Sequence, residues 1–285
     1  MRTKNTFRYD IREYQLRSVV LLETIHSVCA KYGLTYYIIA GTLLGALRHK
    51  GFIPWDDDID IALMRRDYDI LMRHSDEWIP EPFRIVQHET TPEYPKYFAK
   101  LEDTSTTIVE NIYLGYAGGI YMDIFPLDDV PDCKFLRRIH YYKVSVLKNI
   151  LYFLYRDPYK HGKGLNSLFT LTVQSIFDKD RIHSKIEKVL QEYNGHRKCG
   201  YVMTHDDGTR AFSKSVFREP VPIMFEGICA NSPTVPEGFL SVLYGNDYMK
   251  LPPEEKRVSH FHDYCDLNTP YSQFNINEFL KTRKK

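Results

Sequence analysis

The chain has few of the features that would place it in several large classes. Its five cysteines, Cys29, Cys133, Cys199, Cys229 and Cys265, lie 104, 66, 30 and 36 residues apart with no C-x-x-C pair, so neither a zinc knuckle nor a disulfide framework fits. A dominant sign of charge is also missing: 38 Lys+Arg against 37 Asp+Glu leave +1. That balance argues against a chain whose main business is nucleic acid. No run approaches the roughly 18 apolar residues of a membrane span. The first ten residues lack the apolar centre of a secretory leader. Internal repeats and low-complexity tracts are absent as well. The expectation is a reducing, cytoplasmic protein.

What is present is the material of a core: 43% apolar and 14% aromatic residues, with 22 Tyr and 16 Phe over 285 positions. Asp10 with Glu13 makes a capping-box start, and Leu16, Val19, Val20, Ile25 and Val28 recur at helical spacing until Gly33. Thr35 to Ala40 reads as a strand closed by Gly41, and Thr42 to His49 returns to helix. Ile59, Ile61 and Leu63 alternate with Asp58, Asp60 and Ala62, the period of a half-buried strand with acids on one face. Further strands are expected at Phe83 to Gln87, Tyr97 to Leu101, Thr107 to Glu110 and Ile120 to Phe125, with a helix from Arg66 to His74 and a turn beginning at Asp128 and Asp129. Strands and helices without regular alternation favour an α+β fold.

The character changes after residue 132. Lys134, Arg137, Arg138, Lys143, Lys148, Arg156, Lys160 and Lys163 face only Asp157, a local charge of +7. Phe135, Ile139, Tyr142, Val146, Ile150 and Leu154 keep helical spacing, so 134–156 reads as a basic amphipathic helix, with a second helix after Gly162 and Gly164. This describes either a solvated helical subdomain or a surface for an anionic polymer or membrane.

Chemistry concentrates in Asp56-Asp57-Asp58-Ile59-Asp60. Four carboxylates in five positions repel, and a cation is expected beside them. Asp58 and Asp60 share a strand face and suit a hard ion such as Mg²⁺ or Mn²⁺. A calcium loop fails, because Ile61 stands where glycine is needed and Asp67 where the bidentate Glu is needed. Upstream, Gly41 and Thr42 open a helix after a strand, an arrangement that presents backbone N–H groups to a phosphate; GTLLGA is not a P-loop, since it lacks the GK[ST] ending. A third acid, Asp123, sits among strand formers in Tyr121-Met122-Asp123-Ile124-Phe125. Arg48 and Lys100 are candidate phosphate-neutralising cations, and Arg257 with His260 is placed to close over a donor. The His260-x-His262 pair reads as incidental, and His205-Asp206-Asp207 is a loop without an assigned role. Trp55 and the tyrosines could face a quaternary ammonium, although most of them suit an ordinary aromatic core.

Strand-Gly-Thr, then Asp-x-Asp, then a single later Asp resembles the signature of the nucleotidyltransferase superfamily. The run GTLLGALRHKGFIPWDDDIDIAL is similar to the LicD family of phosphocholine transferases, related to fukutin-type phosphotransferases. The similarity continues in KLEDTSTTIVE, YMDIFPLDDV and YGNDYMKLPPEEKRVSH, and so covers most of the chain.

The resemblance implies a nucleotidyltransferase-like mixed sheet flanked by helices, with a helical insertion. The expected organisation is a core at 1–132, a basic helical subdomain at 133–198 and a C-terminal segment at 199–285 packing back on the core. The implied activity is Mg²⁺-dependent transfer of phosphocholine, or a similar phospho-alcohol, from CDP-choline to a hydroxyl of a surface glycan. Asp56, Asp58, Asp60 and Asp123 would hold the metal, with Asp58, Asp60 and Asp123 catalytic. Gly41, Thr42, Arg48, Lys100, Arg257 and His260 would hold the donor, and Asp123 would complete the metal site or take the acceptor proton. The implied partners are a nucleotide-activated donor and a glycan acceptor, lipid-linked in one version, with peripheral contact at the inner membrane face through 134–156. Two other readings stay open: a nucleotidyltransferase adding NMP to an acceptor, and a catalytically silent glycan-binding protein.

Overall fold

The computed structural model describes residues 9–160, 162–257 and 262–283. Helix α1 (Ile11–Tyr32) starts at Asp10, whose carboxylate accepts from the N–H groups of Arg12 and Glu13, and ends at Gly33 in the left-handed conformation. Glu13 does not reach back to close the box; its side chain pairs with Arg17 at 2.9 Å. Then follow β1 (Tyr36–Ile38), α2 (Ala40–His49), β2 (Asp60–Met64), α3 (Arg65–Arg73), the short α4 (Ser75–Trp78) and β3 (Phe83–Val86). The chain continues through β4 (Ala99–Val109), β5 (Gly118–Val130), α5 (Lys134–Tyr155), α6 (Leu165–Ile176) and α7 (Lys179–Leu190). It closes with β6 (Tyr201–Met203), β7 (Phe212–Ser213), β8 (Val221–Phe225), β9 (Ile228–Ser232), α8 (Pro236–Tyr244), β10 (Tyr264–Asp266) and α9 (Ile276–Arg283).

Among the described residues the main sheet has eight strands, with the order β1-β2-β5-β4-β10 along its path; β3 also pairs with β4, and β6 joins β5 to β7. β2 and β5 are parallel, while the other pairs are antiparallel. The architecture is therefore α+β with a mixed sheet. Two strands expected at Tyr97 to Leu101 and Thr107 to Glu110 are one strand, β4, broken in register between Asp103 and Ile108. Thr106 fills the irregularity: its hydroxyl donates to Asp103 O and accepts from Ile120 N–H. β3 and β10 pair on either side of it.

Asp128 and Asp129 do not begin a turn. They lie in β5, which runs on to pair with β6. Burial decides this, because Asp128 is held by Arg65 in a two-pronged pair (Nε to Oδ1 2.7 Å, Nη2 to Oδ2 2.6 Å) that makes its carboxylate tolerable inside.

Ile61, Leu101, Ile120, Met122 and Ile124 alternate onto one sheet face and are fully buried, and α1 packs along β5 and β4. The other face carries Asp60, Asp123, Tyr121, Lys100 and Glu102. Helices α5, α6 and α7 build a separate cluster from residues that include Val144, Leu151, Leu154, Val173 and Ile186. The C-terminal strands return to the sheet through β6 and β10. Of the basic residues on α5, Arg137 stacks on Tyr201 at 4.3 Å and Lys148 reaches Asp206 at 2.9 Å; Arg156, which follows the helix, is buried. No helix among the described residues is long and apolar enough to cross a membrane.

Candidate functional site

The site arises from strand alternation. Asp56, Asp58 and Asp60 line a cavity of about 750 Å³. Asp57 points the other way into the interior, where its Oδ2 accepts from Tyr9 Oη at 2.8 Å. Parallel pairing of β2 with β5 sets Asp60 opposite Asp123, and the Asp123 N–H donates to Ile59 O at 2.9 Å. Asp123 lines the same cavity. The four acids singled out in sequence thus border one space.

The start of α2 is fixed to this strand. Ile39 N–H donates to Asp60 O at 3.0 Å, and Asp60 N–H donates to Thr42 Oγ1 at 2.8 Å. No side chain caps α2 and its first turn holds no acid, so the helix presents its positive end beside Ala40 and Gly41, which line the cavity. Thr42 is buried and holds Asp60 in place; it does not line the cavity. Ala40, not Gly41, takes the left-handed backbone, with φ 47°.

Electrostatically the site is crowded with acids, and among the described residues the lysines on its lining, Lys96 and Lys148, pair with Glu110 and Asp206. Burial first, then Asp58, Asp123 and Asp56, pushes the Asp60 carboxyl well above the usual range. Burial raises Asp123 to about 6, against the opposing pull of Lys100. Asp123 Oδ1 is buried and accepts no hydrogen bond, although Lys100 Nζ stands 3.2 Å away. No three His, Cys, Asp or Glu side chains among the described residues are already gathered tightly enough to hold a metal ion. Magnesium, however, is commonly held by one or two carboxylates with phosphates and water completing the shell, and this oxygen donor set fits that pattern.

Of the other residues singled out, Lys100 is wholly buried: its Nζ lies 2.6 Å from Glu110 Oε1 and 3.1 Å over the Tyr121 ring. Burial disfavours its charge, but Asp123 and Glu110 outweigh burial and raise its pKa. It serves Asp123 as a counter-ion and does not face the cavity. Arg48 is also outside, donating to the carbonyls of Tyr248 and Lys250 at 3.2 and 3.4 Å. Arg257 donates to Pro252 O and lies over Trp55 at 5.3 Å, so neither it nor Trp55 borders the cavity. His260 lies outside the described residues.

Several cavity residues carried no assignment in sequence. Glu102 sits two positions after Lys100 on the same strand face, with Tyr116 Oη donating to both carboxylate oxygens at 3.1 and 3.0 Å. Burial, partly offset by Lys100, pushes it to about 7. Period-two alternation from Lys100 would have found it. Asp206 and Asp207, from the unassigned loop, line the cavity with Lys148. His262 is no bystander: its ring nitrogens meet Tyr9 Oη at 2.9 Å and Tyr121 Oη at 3.3 Å. Only the return of β10 to β4 brings it there.

Residues 33–135 match the family model described as LicD/FKTN/FKRP, nucleotidyltransferase domain. The chain is 31% identical over 267 residues to the lipopolysaccharide cholinephosphotransferase LicD of Haemophilus influenzae, an alignment covering 89% of this chain and 96% of that protein. Two uncharacterised proteins match shorter stretches. One, from Rickettsia typhi, is 46% identical over 61 residues (21% of this chain, 20% of that protein). The other, from Rickettsia prowazekii, is 49% identical over 47 residues (16% and 18%). A match of that extent to the Haemophilus protein, together with Asp56, Asp58, Asp60 and Asp123 falling inside the matched domain, places the chain in the LicD family.

Proposed function

We propose that the protein transfers a phosphorylated amino alcohol, phosphocholine before others, from a CDP-activated donor to a glycan hydroxyl. We further propose that it does so with Mg²⁺, on a nucleotidyltransferase-like core. The observation that carries this reading is the cross-strand pair Asp60 and Asp123, facing a cavity beside the uncapped start of α2. The name of the Haemophilus relative, a lipopolysaccharide cholinephosphotransferase, supports the head group and a lipopolysaccharide-type acceptor.

Asp58 and Asp60 would hold the ion, with Asp56 and Asp123 at its edge. Bound there, it supplies charge neutralisation to the phosphoryl oxygens. The amides at the start of α2 orient a donor phosphate. Asp123, poised by burial against Lys100, accepts the proton of the attacking hydroxyl. Glu102 and Tyr116, beside the Tyr121 ring that already carries the Lys100 ammonium, form the acidic and aromatic end of the cavity, suited to a quaternary ammonium. Asp123 and Tyr121 are two residues apart on β5, roughly 7 Å, a span that a phosphate and a cationic group on a two-carbon alcohol can bridge.

The test is incubation with CDP-choline, Mg²⁺ and a glycan acceptor, with a chelator control. Release of CMP with labelling of the acceptor supports the reading. Pyrophosphate from a nucleoside triphosphate, with CDP-choline untouched, supports nucleotidyl transfer in its place. Binding of glycan without turnover of either donor rejects both.

A further inference from the structure

Helix α6 is built inside out. Its twelve residues, LNSLFTLTVQSI, contain no charge. A helix packed on a core turns its apolar stripe inward. Here the inward face is Ser167, Thr170, Val173 and Gln174: the first three are buried, and Gln174 donates to the carbonyls of Phe153 and Arg156 at the end of α5, at 3.0 and 2.9 Å. The outward arc carries Leu165, Leu168, Phe169, Leu171 and Ile176, exposed by 85, 62, 56, 41 and 67%, with the uncharged Asn166, Thr172 and Ser175 exposed among them. Such an arc facing water costs free energy unless a partner covers it.

Charge selects the partner. Residues 133–177 carry +7. Lys163, just before α6, is exposed, as are Lys134, Arg138 and Lys143 on α5. The acids after α6, Asp178 and Asp180, alternate with Lys179 and Arg181. An uncharged, largely apolar arc within a segment of net positive charge is the composition of a helix lying in a lipid interface. We propose that α6 is an interfacial anchor, laying its apolar arc into an anionic bilayer while the flanking lysines and arginines meet the headgroups. This adds α6 to the contact expected at 134–156, where α5 also exposes Phe135, Ile139, Tyr142 and Val146. It is independent of the transferase reading.

The test is flotation of the full chain with vesicles of phosphatidylcholine alone and of phosphatidylcholine with phosphatidylglycerol. Partitioning is expected to be at least tenfold stronger on the anionic vesicles and to weaken as salt rises. Leu168→Glu with Phe169→Glu should abolish it, with circular dichroism confirming the fold because the Phe169 ring also meets Phe153 at 5.1 Å. Leu165→Gln with Ile176→Gln changes the two most exposed side chains, cannot disturb packing, and should weaken it at least fivefold. Binding by these variants equal to the parent, or no binding by the parent, overturns the proposal. A dimer in solution that these substitutions dissolve also overturns it, by assigning the arc to a second copy of the chain.

Discussion

Gly41 and Asp56 occupy space that a side chain at 41 would contest: a Cβ there would stand 2.6 Å from Asp56 Oδ2. The atom it meets is the end of a flexible side chain, which can swing away. Gly41→Ala should therefore keep the melting temperature within a few degrees while displacing a cavity carboxylate, lowering kcat/KM on the order of 10²-fold. Gly119→Ala is the contrast. Its Cβ would fall 1.8 Å from the Asp103 carbonyl oxygen, a backbone atom of the paired strand, and stability should fall by about 3 kcal/mol or the chain should fail to fold. Thermal melts beside steady-state kinetics separate the two outcomes.

Asp60→Asn should cost on the order of 10²–10³-fold in turnover, the size of effect seen when one electrostatic element is removed from a reacting centre. Stability without metal should hold or rise, because a buried carboxylate in repulsion with Asp58, Asp123 and Asp56 is removed. Mg²⁺ should raise the melting temperature of the parent by mass action and leave that of Asp60→Asn nearly unchanged. A metal-induced shift of equal size in both would refute Asp60 as a ligand.

Glu102 sets a pH dependence. Its folded pKa, pushed by burial to about 7, exceeds the model-peptide value of 4.5, so the folded state retains a proton that the unfolded state has released. Stability is highest below pH 4.5 on this account, falls as pH rises toward 7, and is level above, a loss of up to about 3 kcal/mol. Glu102→Gln should remove that slope in urea melts followed across the window. Under the proposed function it should also raise KM for a cationic donor more than it lowers kcat.

Arg65 and Asp128 supply a test of fold. Arg65→Ala leaves the Asp128 carboxylate buried with Asn194 still donating to it at 2.7 Å, and roughly 3–5 kcal/mol of stability should be lost. Replacing both partners by apolar residues should cost less than Arg65→Ala alone. Urea denaturation of the double-mutant cycle measures the difference.

Much was legible in the sequence because it is local. The Asp10 cap, the Gly33 stop, the period-two strand at Ile59 to Leu63 and the acids on its cavity side follow from backbone geometry within a few residues. So does the position of Gly41 at a strand-to-helix junction. The reason for that glycine was not legible: it is room for Asp56, while Ala40 takes the left-handed backbone.

What only the tertiary structure decided is pairing. A strand's sequence fixes which side chains share a face but not which strand lies beside it. Parallel pairing of β2 with β5 puts Asp60 opposite Asp123, and the neighbouring β4 places Lys100 beneath as a counter-ion rather than in the cavity as a phosphate ligand. Arg48, Arg257 and Trp55 were drawn elsewhere by carbonyls and by each other, contacts with no trace in local pattern. His262, Asp206 and Asp207 reach the cavity through chain returns of long range. The outward arc of α6 belongs to the same class, since periodicity defines an apolar face and only packing reveals that the face was left uncovered.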